Sequence, residues 1–516
     1  MMADSSIFHS KVGKGGKAQA CHDCKRRKVK CDYRKPTCLR CEKAEIACKG
    51  YQRDTIFVNR TPRNLSTTLK RNNLSLHVPR SFDEHLQLLK SQLQKPAGQQ
   101  TQFRLQALEL LKKLYLPQPS LANIRESSLY SWLPTVCEIE GESHALDYSL
   151  LAFCVIQVAV TKTGSVSVDE ALQVYNHALQ TLLVEIDDFG AGRSDEILAA
   201  ISVLSTSELF VCPTDHAWRA HAQGITEILR IRSGMNFPIP IRQSFCTRIW
   251  VLLLIEALSK RSTRSMTIYH CHQLSHFIST NSEHGSLHEL IGVACEVPVL
   301  LEESEMLIAS SSIIVEPWRT NLFKASLAVL EKLHDRHQKY KAKTGRPLYW
   351  AMPSGVDNPA DDPYDSKLFP FALQFESLES ASQVVLWWAI VLQVLCSMID
   401  LYHHFFGCST PSSAFDQSKS ENLTGPQPLL NSRFPTMSSV KEEADKLARF
   451  LCQSIEYCHR IENGTIGPQT TTYAQWVLKS YFRQFHYERE LVWCLNIKNM
   501  RGPGFRHGIE LMGFQD

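Results

Sequence analysis

Residues 21–48 read Cys21-His22-Asp23-Cys24-Lys25-Arg26-Arg27-Lys28-Val29-Lys30-Cys31, then six residues, then Cys38-Leu39-Arg40-Cys41-Glu42-Lys43-Ala44-Glu45-Ile46-Ala47-Cys48. Each half is a C-x2-C-x6-C triplet, and the second repeats the first at a shift of 17 residues. Cysteine pairs at this spacing are the signature of thiolate metal sites. Zinc takes four such ligands in a tetrahedron, so one site uses four cysteines and strands two. Two sites need eight ligand positions, which six sulfurs fill only if two of them serve both metals. A single zinc, or a redox C-x2-C pair, leaves the repeat unexplained. Disulfides require an oxidising compartment, and Met1–Lys17 is polar, without the apolar core of a secretory signal. The other eleven cysteines, from Cys137 to Cys494, are scattered and read as reduced core residues.

Charge singles out the same region. Lys25, Arg26, Arg27, Lys28 and Lys30 form the densest basic run in the chain, enclosed by metal-ligand candidates. The corresponding stretch of the second half, Glu42 to Ala47, is nearly neutral. Residues 1–80 hold 19 Lys and Arg against 6 Asp and Glu, a net charge of +13, whereas the remainder carries a net −9. The whole-chain charge of +4 therefore conceals a basic head on an acidic body. Affinity for a phosphate backbone belongs to the head and is salt-dependent. A solvated basic face, or a nuclear-localisation run, is the reading such a stretch would receive alone.

With these residues in hand, the sequence resembles the fungal zinc binuclear cluster (Zn2Cys6) transcription factors, matching their cysteine pattern at all six positions; Pro36 fits the family's loop proline. The resemblance implies that Cys21 and Cys38 bridge two Zn2+ ions. One ion takes Cys21, Cys24, Cys31 and Cys38, the other Cys21, Cys38, Cys41 and Cys48. It also implies double-stranded DNA as partner, with CGG-type triplets read in the major groove. Arg27 and Lys28, at the end of the first helix, are the base-contact candidates, since Arg and Lys donate to guanine O6 and N7. Lys25, Arg26 and Lys30 are the phosphate-contact candidates, which position the module. Val29 and Ile46 occupy equivalent places in the repeat and are expected to pack together beneath the metals, flanked by helices over Lys25–Lys30 and Glu42–Ala47.

The fold class expected is a small metal-stabilised Zn2Cys6 module, two short helices around two zincs, plus a large all-α domain. The module is too small for a core of its own, so zinc supplies its folding energy. The expected divisions are a disordered N-terminus at 1–17, the cluster at 18–50 and a basic linker at 51–80. Short helices at 81–120 follow, then a helical regulatory domain at 121–406, a low-order loop at 407–437, and C-terminal helices of the same domain at 438–516. Leu86, Leu89 and Leu93 have heptad-like spacing, but Pro96 ends the run before the three or four heptads a zipper needs. A short helix packing on the body is favoured over a homodimer seam.

Within the body, Asp147–Val160 reads as a buried helix. Ser167 and Glu170 form a capping box opening a helix that puts Ala171, Val174, Ala178, Leu182 and Ile186 on one side. Further helices are expected from Ser194 to Phe210, and from Asp215 to Arg232 with Gly234 as the C′ glycine. The absence of strand signals points to an antiparallel helical array. Residues 130–260 also resemble the fungal-specific regulatory domain found downstream of such clusters, through Tyr175-Asn176-His177-Ala178-Leu179, Glu208-Leu209-Phe210 and Trp218 to Gly224. The apolar run Val384–Leu392 is too short for a span of about 20 apolar residues. Gln393, Ser397 and Asp400 interrupt it, so a buried helix and no membrane are expected.

Other constellations carry less. His270, Cys271, His272 and His276 could hold a metal, but packing or surface histidines are favoured. Acidic-hydrophobic stretches at Leu300–Leu307 and Asp357–Phe371 read as solvated helix face or loop rather than activation segments. No phosphate loop, nucleophile elbow or carboxylate pair stands out, so no enzyme is expected. The whole reads as a nuclear, sequence-specific DNA-binding regulator of RNA polymerase II transcription, with the transcription machinery or co-regulators as partners. Its alternative is a helical interaction scaffold with non-specific DNA binding.

Overall fold

A computed structural model of the chain describes residues 21–32, 34, 37–46, 48, 81–94, 100–118, 129–189, 194–211, 216–234, 243–263, 286–310, 316–362, 367–406, 436–506 and 508–509. The chain divides into two units, Met1–Leu74 and Ser75–Asp516. The expected linker at 51–80 and the histidine group at 270–276 lie outside the described residues, as does nearly all of the loop at 407–437.

The first unit contributes two short helices, α1 (His22–Arg26) and α2 (Leu39–Glu42). The second begins with α3 (Ser81–Leu93), α4 (Gln100–Leu114), α5 (Trp132–Cys137) and α6 (His144–Thr161). Next come α7 (Val168–Phe189), α8 (Asp195–Val211), α9 (His216–Gly234) and α10 (Gln243–Lys260). They are followed by α11 (Ser286–Ala294), α12 (Val297–Ala309) and α13 (Glu316–Thr344). A hairpin of β1 (Tyr349–Pro353) and β2 (Phe371–Phe375) precedes α14 (Leu378–Phe406). The last helices are α15 (Met437–Cys458), α16 (Ile466–Thr470), α17 (Thr472–Gln484) and α18 (Glu488–Leu495).

Two apolar helices organise the body. The N-terminal layer packs on α6, which meets α3, α4, α7 and α8; the C-terminal layer packs on α14, which meets α12, α13, α15 and α17. A helix apolar all round must be buried all round or lie in lipid. His144–Thr161 and Leu378–His404 have the length and apolarity of a membrane span, and 78% and 83% of those windows are buried inside the protein. They serve here as core helices. The polar residue Gln393 is accommodated by donating to Leu258 O at 2.9 Å and accepting from the Tyr473 hydroxyl.

Local chemistry sets the helix starts. Ser167 N donates to Glu170 Oε2 (2.9 Å) and Glu170 N to Ser167 Oγ (3.2 Å), the reciprocal bonds of a capping box. The helix it opens buries Ala171, Tyr175, Ala178 and Leu182. Ser194 Oγ accepts from Glu196 N (3.1 Å) at the start of α8. That helix is buried along its whole length from Ile197 to Val211. The third of these helices starts one residue later than expected and ends two residues beyond Arg232, taking in Gly234.

The apolar face of α3 belongs to the body. Leu86 and Leu89 are buried in its core, with Phe82 and Leu93 packed alongside. Asp83 accepts from Ser165 N at 2.8 Å, and His85 bonds Gln106 O at 3.1 Å. Leu88, 45% exposed, is the leucine of that helix left outward.

The body is predominantly helical, as expected, with one short hairpin added. β1 and β2 pair antiparallel, with Tyr349 opposite Phe375 and Pro353 opposite Phe371. In the described part of the intervening acidic stretch, Asp361 accepts from Asn358 N (3.0 Å) and Leu368 N (3.2 Å). Leu368 and Phe369 are buried. Likewise Glu302, on α12, accepts from Thr263 N and Oγ1 at 3.1 and 2.7 Å.

Two segments distant in sequence close on one another at Gly464. Its φ of +60° is left-handed, and a Cβ there would lie 2.2 Å from Tyr115 O. Only glycine allows the segment to approach so closely that Thr465 N and Ile466 N bond Leu114 O and Tyr115 O, at 3.1 and 3.0 Å.

Burial also makes the body acid-sensitive. His337 lies flat on Trp387, centroids 3.9 Å apart. Desolvation, reinforced by the His334 and Lys341 cations, pulls its pKa from 6.5 down to about 4. A base depressed in the folded state favours folding above its unfolded pKa, and that contribution is lost as pH falls from 6.5 through 4. His337→Phe keeps the ring stack without the proton. In denaturant titrations between pH 6.5 and 4 its stability is expected to fall less steeply than that of the parent, by about 1.4 kcal/mol per pH unit. Identical slopes would remove His337 as the cause.

Candidate metal centre and basic turn

The N-terminal unit is built around sulfur. Cys21, Cys24, Cys38 and Cys41 have no exposed surface, Cys31 is 3% exposed, and Cys48 is half-buried. Cys21, Cys24, Cys31 and Cys38 form one group, and Cys21, Cys38, Cys41 and Cys48 another, with the sulfurs of each within 4.8 Å of one another. Cys21 and Cys38 belong to both. Sγ–Sγ distances are 3.6 Å for Cys21–Cys38 and Cys24–Cys38, and 3.8 Å for Cys21–Cys41. A disulfide would need about 2.0 Å. Zinc–sulfur bonds of about 2.3 Å place two thiolates of a tetrahedron about 3.8 Å apart. The donor set therefore fits zinc.

The backbone carries the repeat as faithfully as the cysteines do. Cys24 N donates to Cys21 Sγ at 3.4 Å, and 17 residues on Cys41 N donates to Cys38 Sγ at 3.4 Å. Val29 N bonds Cys24 O at 3.0 Å, and Ile46 N bonds Cys41 O at 3.1 Å. Lys28 and Glu45, equivalent by the same shift, both take the left-handed conformation, with φ of 54° and 51°. Each half is thus one helical turn, reversed so that its third cysteine returns to the metal. Burial pushes the Cys21 and Cys24 thiols up, and that of Cys41 to about 12. A bound cation reverses this by holding the sulfur deprotonated.

This geometry corrects the expected helices. The first spans His22–Arg26 rather than Lys25–Lys30, and the second Leu39–Glu42 rather than Glu42–Ala47. Helix-forming Lys and Arg cannot extend α1, because the left-handed turn at Lys28 is required to bring Cys31 back to the sulfurs. Val29 packs against the sulfur cluster, but Ile46 is 37% exposed. The expected Val29–Ile46 contact beneath the metals therefore gives way to a lopsided apolar support.

Of the basic residues, Lys25 stands in α1, and Arg26, its last residue, is exposed but tied to buried Asp23 (3.0 Å). Arg27, Lys28 and Lys30 are exposed, the first two in the turn that follows α1. The second half is different: Glu42 pairs with Arg34 at 3.5 Å, and Leu39 N is held by Asp32 Oδ2 at 3.2 Å. Sequence reasoning missed Asp23, whose buried carboxylate holds Arg26 at the end of α1. Its place between the ligands of a C-x2-C pair was the available signal.

In the body, residues from the three segments singled out between 130 and 260 meet at one point. Tyr175 Oη donates to Glu208 Oε1, and His221 Nε2 lies 3.1 Å from the same oxygen.

A family model described as the fungal Zn(2)-Cys(6) binuclear cluster domain matches residues 19–55. White-opaque regulator 2 of Candida albicans is 45% identical over 49 residues, covering 10% of this chain and 11% of that protein. Arginine metabolism regulation protein II of Saccharomyces cerevisiae is 49% identical over 41 residues, covering 8% of this chain and 5% of the relative. The chain thus spans about a tenth or less of the curated relatives it matches. No solved structure matches the chain.

Proposed function

We propose that this chain, which carries a fungal Zn(2)-Cys(6) binuclear cluster domain at residues 19–55, is a nuclear DNA-binding regulator of RNA polymerase II transcription. Its cluster holds two zinc ions bridged by Cys21 and Cys38. The observation that carries this reading is the pair of four-sulfur groups sharing those two cysteines, with an exposed cationic turn projecting from the first half. When bound, zinc supplies the folding free energy of the unit and fixes the turn. The names of both relatives, a regulator and a regulation protein, favour the same role.

In the proposed complex, Arg27 and Lys28 enter the major groove and donate to guanine O6 and N7 of a CGG-type triplet. Lys25, Arg26 and Lys30 neutralise flanking phosphates. The helical body acts as the regulatory part and contacts co-regulators or the transcription machinery. Homodimerisation, if used, needs a surface other than the Leu86–Leu89 face of α3, which is buried in the body.

Binding-site selection with the full-length chain tests this. Recovered sites are expected to share a CGG-type triplet, and Arg27→Ala to relax preference at one base by about 1–3 kcal/mol. Equal binding of CGG-bearing and scrambled duplexes, with only a salt slope, would leave a helical scaffold with non-specific DNA affinity. Uniform weakening by Arg27→Ala would reassign that residue to a phosphate.

A further inference from the structure

The helical body holds a part-open cavity of about 100 Å³ between α5, α8, α10 and the C-terminal helices. Its walls are mainly apolar and aromatic, with Tyr115, Trp132, Trp218 and Tyr473 among them. Arg248 supplies its charge, and no acidic side chain lines it. The Arg248 guanidinium donates to Thr206 Oγ1 at 2.7 Å and lies 5.4 Å from the Trp132 ring centroid. Its Nε has no hydrogen-bond partner. Among the described residues it makes no ion pair with a carboxylate, and burial pulls its pKa down.

Beside it, α8 presents a second unused donor. Ser202, Thr206 and Ser207 each donate to the carbonyl four residues earlier, at 2.8, 2.8 and 2.9 Å. Ser205, on the same helix and fully buried, lines the cavity with its hydroxyl unpartnered. Arg248 is half-buried, and a cation held there without a carboxylate partner is disfavoured; an orphaned buried hydroxyl adds to the cost. Both are relieved by one kind of occupant. A carboxylate accepts from a guanidinium and a hydroxyl together, while its apolar body fills aromatic walls. A cavity of about 150 Å³ holds benzene, so this space suits a compact body of about four to six heavy atoms beside the carboxylate.

We propose that this cavity binds a small monocarboxylate with an aromatic or branched aliphatic body, anchored by Arg248 and Ser205. The site lies wholly within the body and does not depend on the DNA-binding reading. Occupancy would join α5, α8, α10 and α17 through one ligand, giving the body a way to respond to a small molecule.

The test is thermal melting and calorimetric titration of the full-length chain with benzoate, phenylacetate and isovalerate. The corresponding amides, and sodium chloride at equal ionic strength, serve as controls. At least one carboxylate is expected to raise Tm while its amide and chloride do not. Arg248→Met is expected to weaken that binding by about tenfold or more and to raise the Tm of the ligand-free protein, because an uncompensated charge has gone. Val251→Phe, which fills the cavity without touching the charge, is expected to abolish the shift and serves if Arg248→Met does not fold. No shift with any carboxylate, equal shifts with acids and amides, or a shift that survives Val251→Phe overturns the proposal. So does a lower ligand-free Tm in a folded Arg248→Met, which would make the arginine structural.

Discussion

Cys38→Ser is expected to strip both zinc ions from the full-length chain, whereas Cys24→Ser leaves one bound. The asymmetry follows from shared ligands. Cys38 belongs to both four-sulfur groups and Cys24 to one, so losing Cys24 leaves Cys21, Cys38, Cys41 and Cys48 intact. Losing Cys38 leaves each group with three sulfurs. Cys38 is also the N-cap of α2, where its Sγ accepts from Cys41 N. Structural zinc contributes roughly 10–16 kcal/mol of apparent binding free energy in small zinc-finger peptides at neutral pH, and among the described residues of this unit the apolar cluster is the cysteines with Val29 packed on them. Cys38→Ser should therefore unfold the unit outright and abolish DNA binding, while the body melts unchanged. Zinc per chain, measured by atomic emission after gel filtration, is the readout. One zinc retained in both variants would eliminate the bridged arrangement, and a parent stoichiometry of one would do the same.

The chemistry of the N-terminal unit is written in its spacing because metal coordination is local and stereotyped. Six cysteines on a 17-residue repeat are enough to call a two-fold arrangement, and Lys28 and Glu45 carry that symmetry into the backbone. Helix ends were less legible there. Lys25–Lys30 has helix-forming side chains, but the return of Cys31 to the sulfurs overrides propensity after Arg26. In the body, Ser167–Glu170 and the apolar run in α14 could be read because capping and hydrophobic length are local signals.

The hairpin could not be read. Its two strands are five residues each, and 17 residues separate Pro353 from Phe371, with no tight-turn dipeptide joining them. Arg104, 43 residues from Asp147, and the lone Arg248 gave no sign of burial. Whether a charge lies inside depends on partners that only the fold assembles.

Arg104→Ala is expected to cost the body about 3–5 kcal/mol at neutral pH, the largest single-residue effect outside the cluster. Arg104 on α4 is 2% exposed and Asp147 on α6 has no exposed surface; Arg104 Nε lies 2.6 Å from Asp147 Oδ1. The guanidinium also donates to Ile139 O, and to Gly141 O at 3.3 Å, with Glu196 Oε1 at 3.5 Å. One side chain thus satisfies the turn before α6 and ties three segments together. Truncation leaves Asp147 buried with neither oxygen paired, since Oδ2 already lacks a partner. Desolvation, opposed by Arg104, holds the Asp147 pKa at about 6, above its ordinary 3.8. An acid raised in the folded state is fully compatible with folding below its unfolded pKa, and its ionisation progressively opposes folding as pH rises from about 4 to 6. Without Arg104 that pKa rises further, so the variant's deficit should be greatest above pH 6 and shrink on acidification. Urea titrations at pH 5 and pH 8 would show it, and a deficit that is equal at both would assign the loss to packing alone. The double change Arg104→Met with Asp147→Leu should be more stable than Arg104→Met alone, because no unpaired charge remains in the core. If instead the two losses add, the pair is not coupled, and the arginine acts only through the carbonyls of Ile139 and Gly141.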